Sequence, residues 1–89
     1  LSTIFLVDDV GRFAGSVLVA RLLVASPGQK LADLKSEPLV CVPSEAPESD
    51  AIELVDKYNL LALPVVNQHE RLVGVITVDD IVSVLRKKG

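Results

Sequence analysis

A hydroxyl and two carboxylates stand where an apolar strand gives way to a helix. Residues 72–76, Leu-Val-Gly-Val-Ile, form a short apolar run rich in β-branched side chains, which reads as a buried strand. Beyond it Val78, Ile81, Val82 and Leu85 fall at helical spacing. Thr77 marks the switch and Asp80 follows three residues later, the Thr-x-x-Asp pattern of a capping box. With Asp79 the first turn carries a second carboxylate. A helix N-terminus of this kind presents backbone N–H groups and the positive end of the helix dipole, so it can bind polar ligands. The same two residues also read as a helix cap and nothing more. Gly74, two residues into the strand, lets another backbone approach closely.

The other elements are read around this junction. Residues 4–7 are a short strand candidate, and Asp8-Asp9-Val10-Gly11-Arg12 supplies turn chemistry. Residues 13–19 read as a second strand that completes a hairpin, and residues 20–25 as a short helix closed by Ser26-Pro27-Gly28. One or two helical turns are expected over 30–36, with Leu31 and Leu34 inward. Residues 39–42 read as a strand. A polar loop over 43–49 leads into a helix in which Pro47, Glu48 and Asp50 suit the positive end. Ile52, Val55 and Tyr58 form its apolar stripe. Residues 60–66 carry the next strand, whose amino end Pro64 places at an edge or outside the ladder.

Composition narrows the function classes. The 89 residues carry a net charge of −3 and are 49% hydrophobic, a large apolar fraction for one small domain. That excess predicts that some apolar surface meets a partner chain. The single basic run, Arg86-Lys87-Lys88, complements the dipole of a last helical turn. With Phe5, Phe13 and Tyr58 as the only aromatics, nucleic acid is not an expected partner. Cys41 is alone, which rules out a disulfide framework and a cysteine metal site. Its apolar surroundings predict a core thiol, compatible with a reducing intracellular setting. The apolar region 13–25 is broken by Gly15, Ser16 and Arg21, too short to span a bilayer. No signal peptide is read at the amino end, and none of this fragment is expected to enter a membrane. His69 lies in a polar turn and reads as solvent-exposed.

The chain matches itself when shifted by about sixty residues. Leu6-Val7-Asp8 falls on Val65-Val66-Asn67, and Arg12-Phe13-Ala14-Gly15 on Arg71-Leu72-Val73-Gly74. Val17 falls on Ile76, Val19 on Val78, and Leu22-Leu23 on Ile81-Val82. A strand–turn–strand–helix unit therefore occurs twice, and only the second copy has a strand and a helix before it. The expectation is a complete second copy over residues 36–89 and, over 1–35, the latter half of a first copy with its linker, the chain being an excised fragment. Where the second copy has Thr77 and Asp80, the first has Leu18 and Arg21. Leu18 has no hydroxyl and Arg21 cannot accept a hydrogen bond, so the first copy's equivalent position is degenerate; Arg21 can instead meet a phosphate.

This tandem repeat, with Leu63-Pro64-Val65-Val66 and the run from Arg71 to Ile81, resembles the CBS (cystathionine β-synthase) domain. The wording of 71–80, 56–66 and 23–27 is most similar to the cytosolic CBS pair of MgtE-type magnesium transporters. The resemblance implies an α+β, mixed α/β fold. Its repeat is strand–helix–strand–strand–helix, a small three-stranded sheet packed against two helices. It also implies a regulatory module that senses adenosyl ligands such as ATP, AMP or S-adenosylmethionine and sometimes Mg²⁺, and controls an attached transporter or enzyme. Such pairs form homodimers, and the location implied is cytoplasmic. The family's Gly-x-x-Thr-x-x-Asp element maps onto Gly74, Thr77 and Asp80 as ribose and phosphate contacts. The segments flanking the base map onto Val40 and Val42 and onto Leu63 and Pro64. The chemistry agrees: Asp80 can accept from two vicinal hydroxyls, and Thr77 and the first N–H groups can donate to a phosphate.

For Mg²⁺ the candidate ligands are Asp79 and Asp80, then Asp8, Asp9, Glu45, Glu48 and Asp50, which equally read as turn and helix-start residues in water. Two rivals stand beside a sensor. A ligand-free dimerisation module accounts for the apolar excess and the degenerate first copy. A metal-dependent hydrolase would need Asp79 and Asp80 on one metal, but neighbours on a helix diverge by about 100°. No base or nucleophile accompanies them, so an enzyme is not expected.

Overall fold

A computed structural model describes residues 3–88, with side chains for 3–87. Leu1 and Gly89, the outer bounds of the two expected copies, lie outside the described residues, as does the side chain of Lys88. Strand β1 (Thr3–Val7) turns into β2 (Phe13–Leu18), which runs directly into helix α1 (Val19–Leu23). A single 3₁₀ turn (Leu31–Leu34) leads to β3 (Val42–Pro43), α2 (Glu48–Tyr58), β4 (Ala62–Val66), β5 (Leu72–Thr77) and α3 (Val78–Lys88). β1 and β2 form an antiparallel pair, while β3 lies parallel to β4 and β4 antiparallel to β5. This is the mixed α/β repeat expected: one strand–helix–strand–strand–helix unit and the latter part of another.

The two hairpins repeat each other bond by bond. Asp8 Oδ1 accepts from the N–H groups of Val10 and Arg12 at 3.0 and 2.9 Å, and Asn67 Oδ1 from those of His69 and Arg71 at 2.8 and 3.1 Å. Each Asx side chain thereby closes its own turn. The residue before each arginine is left-handed, Gly11 at φ 85° and Glu70 at φ 63°. Both first strands carry an irregularity, between Leu6 and Val7 and between Val65 and Val66. The copies then meet at these turns: Arg12 bridges Arg71, Phe13 N–H donates to the Glu70 carbonyl at 2.9 Å, and Leu72 N–H donates to the Gly11 carbonyl at 3.1 Å. The exchange is reciprocal, as an approximate two-fold axis through the two arginines requires.

The main core lies between α2 and the three-stranded sheet. Val42, Ala51 and Leu63 are buried there, with Leu54, Val55, Leu60, Val65 and Ile76 packed around them. α2 thus buries Ala51 and packs half-buried Leu54 beside Val55 of the expected stripe, whose Ile52 and Tyr58 are also half-buried. In the first copy Val17 is fully buried, and Phe5 and Phe13 meet edge to face at 6.3 Å between ring centroids.

Several expectations are corrected. The strand expected over 39–42 reduces to Val42 with Pro43, paired to Val65 and Val66. One step earlier in this parallel register Cys41 would lie beside Pro64, whose nitrogen has no proton to donate, so the ladder cannot extend. The amino end of β4 accordingly lacks a strand on that side, as Pro64 implied. Cys41, outside the ladder, is half-buried instead of a core thiol. Of the expected inward pair in the 3₁₀ turn, Leu34 is buried but Leu31 is 45% exposed. Leu31 opens the turn directly after the exposed loop 26–30, where nothing packs over it. α1 starts at Val19 and stops at Leu23, so it is displaced by a residue and shorter than the 20–25 expected.

Candidate functional site

The start of α3 is held by the sequence signal that predicted it. Thr77 N–H and Thr77 Oγ1 both donate to Asp80 Oδ2 at 3.0 Å, and Asp80 N–H donates back to Thr77 Oγ1 at 3.3 Å. Val78 N–H is taken by the Leu61 carbonyl at 3.0 Å, which carries the β4–β5 ladder into the helix. The N–H of Thr77, then its hydroxyl, hold the Asp80 carboxyl below the usual carboxylate value. Thr77, Asp79 and Asp80 are all exposed. α1, the counterpart helix, follows Leu18 at its N-cap with no side-chain cap bond and has Arg21 in place of Asp80.

Two clefts open beside these elements. The first, about 440 Å³, is an apolar groove between α2 and α3 floored by Val42, Val65 and Ile76 and walled by Ala51, Ile52, Ile81 and Val84. Asp80 stands on its rim. The second, about 360 Å³, lies between the two copies. Val40 and Pro64 line it with Ser36, Glu37 and the end of α2 at Tyr58 and Asn59. Its other wall is the hairpin of the first copy, through Thr3, Ser16 and Leu18. Asn59 closes α2 in the left-handed conformation, φ 52°, where asparagine is tolerated. That turn brings the chain back from the helix onto the cleft wall.

The residues singled out from the sequence therefore fall into separate groups. Thr77 and Asp80 are brought together on α3. Val42 shares the α2–α3 groove with Asp80, while Val40 and Pro64 share the cleft between copies. Leu63 is 0% exposed, and Gly74 sits in β5 where an added Cβ would be 3.9 Å from Val65 Cβ, ordinary contact. Neither lines a cleft. Among the described residues no three His, Cys, Asp or Glu side chains gather as metal ligands, and no helix is long and apolar enough to cross a membrane. Sequence reasoning passed over Leu18, Ser36, Glu37, Tyr58 and Asn59 as cleft residues. The signal that finds them is the repeat itself: an axis through Arg12 and Arg71 crosses the copies, so the end of β2 faces the entry to the other repeat.

A third recess, between the hairpin turns, contains Cys41, Asp8, Arg12, Phe13 and Glu70. Burial, then the charge of Glu70, push the Cys41 thiol up from its ordinary value, so the unreactive thiol form dominates. Arg12 Nε meets Asp8 Oδ2 at 2.7 Å. The Arg12 N–H and then its side chain hold the Asp8 carboxyl below its ordinary value.

The family model described as CBS domain matches residues 31–87. The magnesium transporter MgtE of Thermus thermophilus is 35% identical over 86 residues, 97% of this chain and 19% of the relative. MgtE of Bacillus subtilis is 26% identical over 89 residues, 100% of this chain and 20% of the relative. The chain spans about a fifth of the length of these two curated relatives. Among solved structures, the cytosolic domain of the Mg²⁺ channel MgtE in complex with ATP is similar with a TM-score of 0.87 at 34% identity, over 92% of this chain and 33% of that one.

Proposed function

The chain belongs to the CBS domain family, and we propose on that footing that it is a regulatory, ligand-sensing module and not a catalyst. The site is the cleft between copies, and the ligand is adenosyl. The observation that carries this reading is that Val40 and Pro64 line one 360 Å³ space whose second wall, with Leu18, belongs to the other copy. Apolar side chains on both sides suit the faces of a purine, and hydroxyl and amide groups at Ser36, Tyr58 and Asn59 suit its edges and sugar. A ligand held between two copies shifts their relative geometry by its differential affinity for the two arrangements, which is how such a module transmits occupancy. The similar MgtE cytosolic domain that carries ATP supports the ligand class. MgtE relatives support a magnesium transporter as the attached protein, and the similar MgtE cytosolic domain supports a cytoplasmic location for the module.

Thr77 and Asp80 are the second half of the proposal. Asp80 stands on the rim of the α2–α3 groove, apart from the cleft between copies, and there Thr77 and Asp80, with Gly74 of the same element, would take the ribose and phosphate groups of a charged nucleotide. Residues 1–35 and 36–89 are the two copies in this reading. Mg²⁺ is a weaker fit: Asp80 is engaged by Thr77, and Asp79 points elsewhere on the helix, so the pair offers a hydrated ion water-mediated contacts only.

Thermal shift and calorimetry with adenosine, AMP, ATP, S-adenosylmethionine and Mg²⁺, on the wild type and on Thr77→Ala/Asp80→Ala, test the function. Stabilisation by an adenosyl ligand supports the sensor, since a ligand at a hundred times its Kd adds about 2.7 kcal/mol. No response to any of them at millimolar concentration contradicts it.

A second reading, a ligand-free dimerisation module, is favoured by one feature. Val78, Val82 and Leu85 are exposed along α3 beside the apolar α2–α3 groove. It predicts a dimer whose association ignores nucleotides, which sedimentation with and without ATP measures.

A further inference from the structure

The cleft between copies is electrostatically one-sided. Among the described residues Glu37 is the only ionised group on its wall, and it is negative. The neutral polar groups are the Thr3, Ser16, Ser36 and Tyr58 hydroxyls and the Asn59 amide. No lysine or arginine is among the residues that line it. The stem of Lys35 lies against Gly15, where an added Cβ would come within 3.1 Å of it. Lys57 stands over the Tyr58 ring at 5.3 Å and lines a separate recess with Asp50, Glu53 and Asp56. The helix next to the cleft gives a phosphate nothing either. α1 has five residues, no side-chain cap, and Leu18 where the second copy has the hydroxyl of Thr77.

A phosphate entering this cleft would exchange water for a carboxylate and aliphatic carbon, with no guanidinium, ammonium or full helix terminus among the lining residues to receive it. A purine nucleoside loses much less, because its base and sugar are uncharged and the wall offers neutral donors and acceptors. We infer that this cleft takes uncharged purine nucleosides in preference to their phosphates, with Glu37 as the residue that sets the preference. The inference rests on the reading of the cleft as an adenosyl site and names the ligand class within it. It also separates this chain from a simple transfer of ATP binding: the side chains at Leu18 and Glu37 decide, not the fold.

Calorimetric titration of the protein with adenosine, AMP and ATP tests this directly. Adenosine is expected to bind about tenfold or more tightly than ATP, with AMP between them, since each added charge works against Glu37. Glu37→Lys is expected to raise ATP affinity by about tenfold and to leave adenosine within about threefold, by the same charge reversal. The isosteric Glu37→Gln is expected to narrow the gap without reversing it, and guards against a folding effect of the lysine. ATP binding as tightly as adenosine, or more so, in the wild type overturns the inference and leaves the adenosyl site standing. Failure of all three ligands to bind overturns both.

Discussion

The helices that close the two copies begin at equivalent positions and end very differently. α3 runs for 11 residues from a closed Thr77–Asp80 box, whereas α1 runs for 5 from an uncapped Leu18. The hairpins feeding them are alike down to the Asx turn, the left-handed residue and the strand irregularity. The difference therefore arises at the cap and beyond it, not in the strands. The Thr77 hydroxyl accepts a first-turn N–H group, that of Asp80, which an uncapped helix leaves to water. The chain after α1 turns off at Ser26-Pro27-Gly28, which cannot continue a helix. The exchange of Thr and Asp for Leu and Arg thus alters the chemistry the element offers a ligand, while Ser26-Pro27-Gly28 limits its length.

The largest test of this asymmetry lies in the core. Leu63 has no exposed surface and is covered by α2, while Ile4, its repeat equivalent, is half-buried with no described helix over it. Leu63→Ala is expected to cost about 2–5 kcal/mol and Ile4→Ala about half as much, read from denaturant unfolding. Equal costs would mean that the first copy is covered as fully as the second. Next come the turns. Gly11→Ala forces a Cβ into φ 85° and is expected to cost about 1–2 kcal/mol, whereas Glu70→Gly relieves a similar strain and raises the melting temperature. The caps follow. Thr77→Ala is expected to cost about 1 kcal/mol and to fray α3, while Leu18→Thr with Arg21→Asp gains less than that, because a five-residue helix has little to propagate.

The smallest effect is on acid stability. Asp8 and Asp80 have folded-state pKa values below 3.8, so their contribution is complete above that pH and is lost as pH falls through the lower folded values. Asp8→Asn with Asp80→Asn is expected to flatten the acid limb of the unfolding midpoint against pH. Asn67, in the equivalent turn, cannot titrate, so Asn67→Asp should steepen it.

Local signals read well where a motif is complete within a few residues. The α3 cap, the Asx turns, the β5–α3 junction and the Pro64 edge all depend on neighbours in sequence. The strand over 39–42 failed because its length was decided by a proline more than twenty residues away. Cys41 followed it out of the core. The clefts were least legible. Val40 and Pro64 line one cleft, but Val42 and Leu63, which the resemblance grouped with them, do not. Yet the partner supplied across the axis is Leu18 of the other copy, and no local pattern in 36–66 specifies it. Thr77 and Asp80, the most conspicuous chemical pair in the sequence, lie outside that cleft.

The measurement closest to the central claim is a ¹H–¹⁵N NMR titration with adenosine. A ligand between the copies will shift the amides of Leu18, Val40, Tyr58, Asn59 and Ala62 together, at one saturable concentration, and leave Thr77, Asp79 and Asp80 nearly unmoved. Cleft amides that do not move, whether or not those at 77–80 do, would contradict the account.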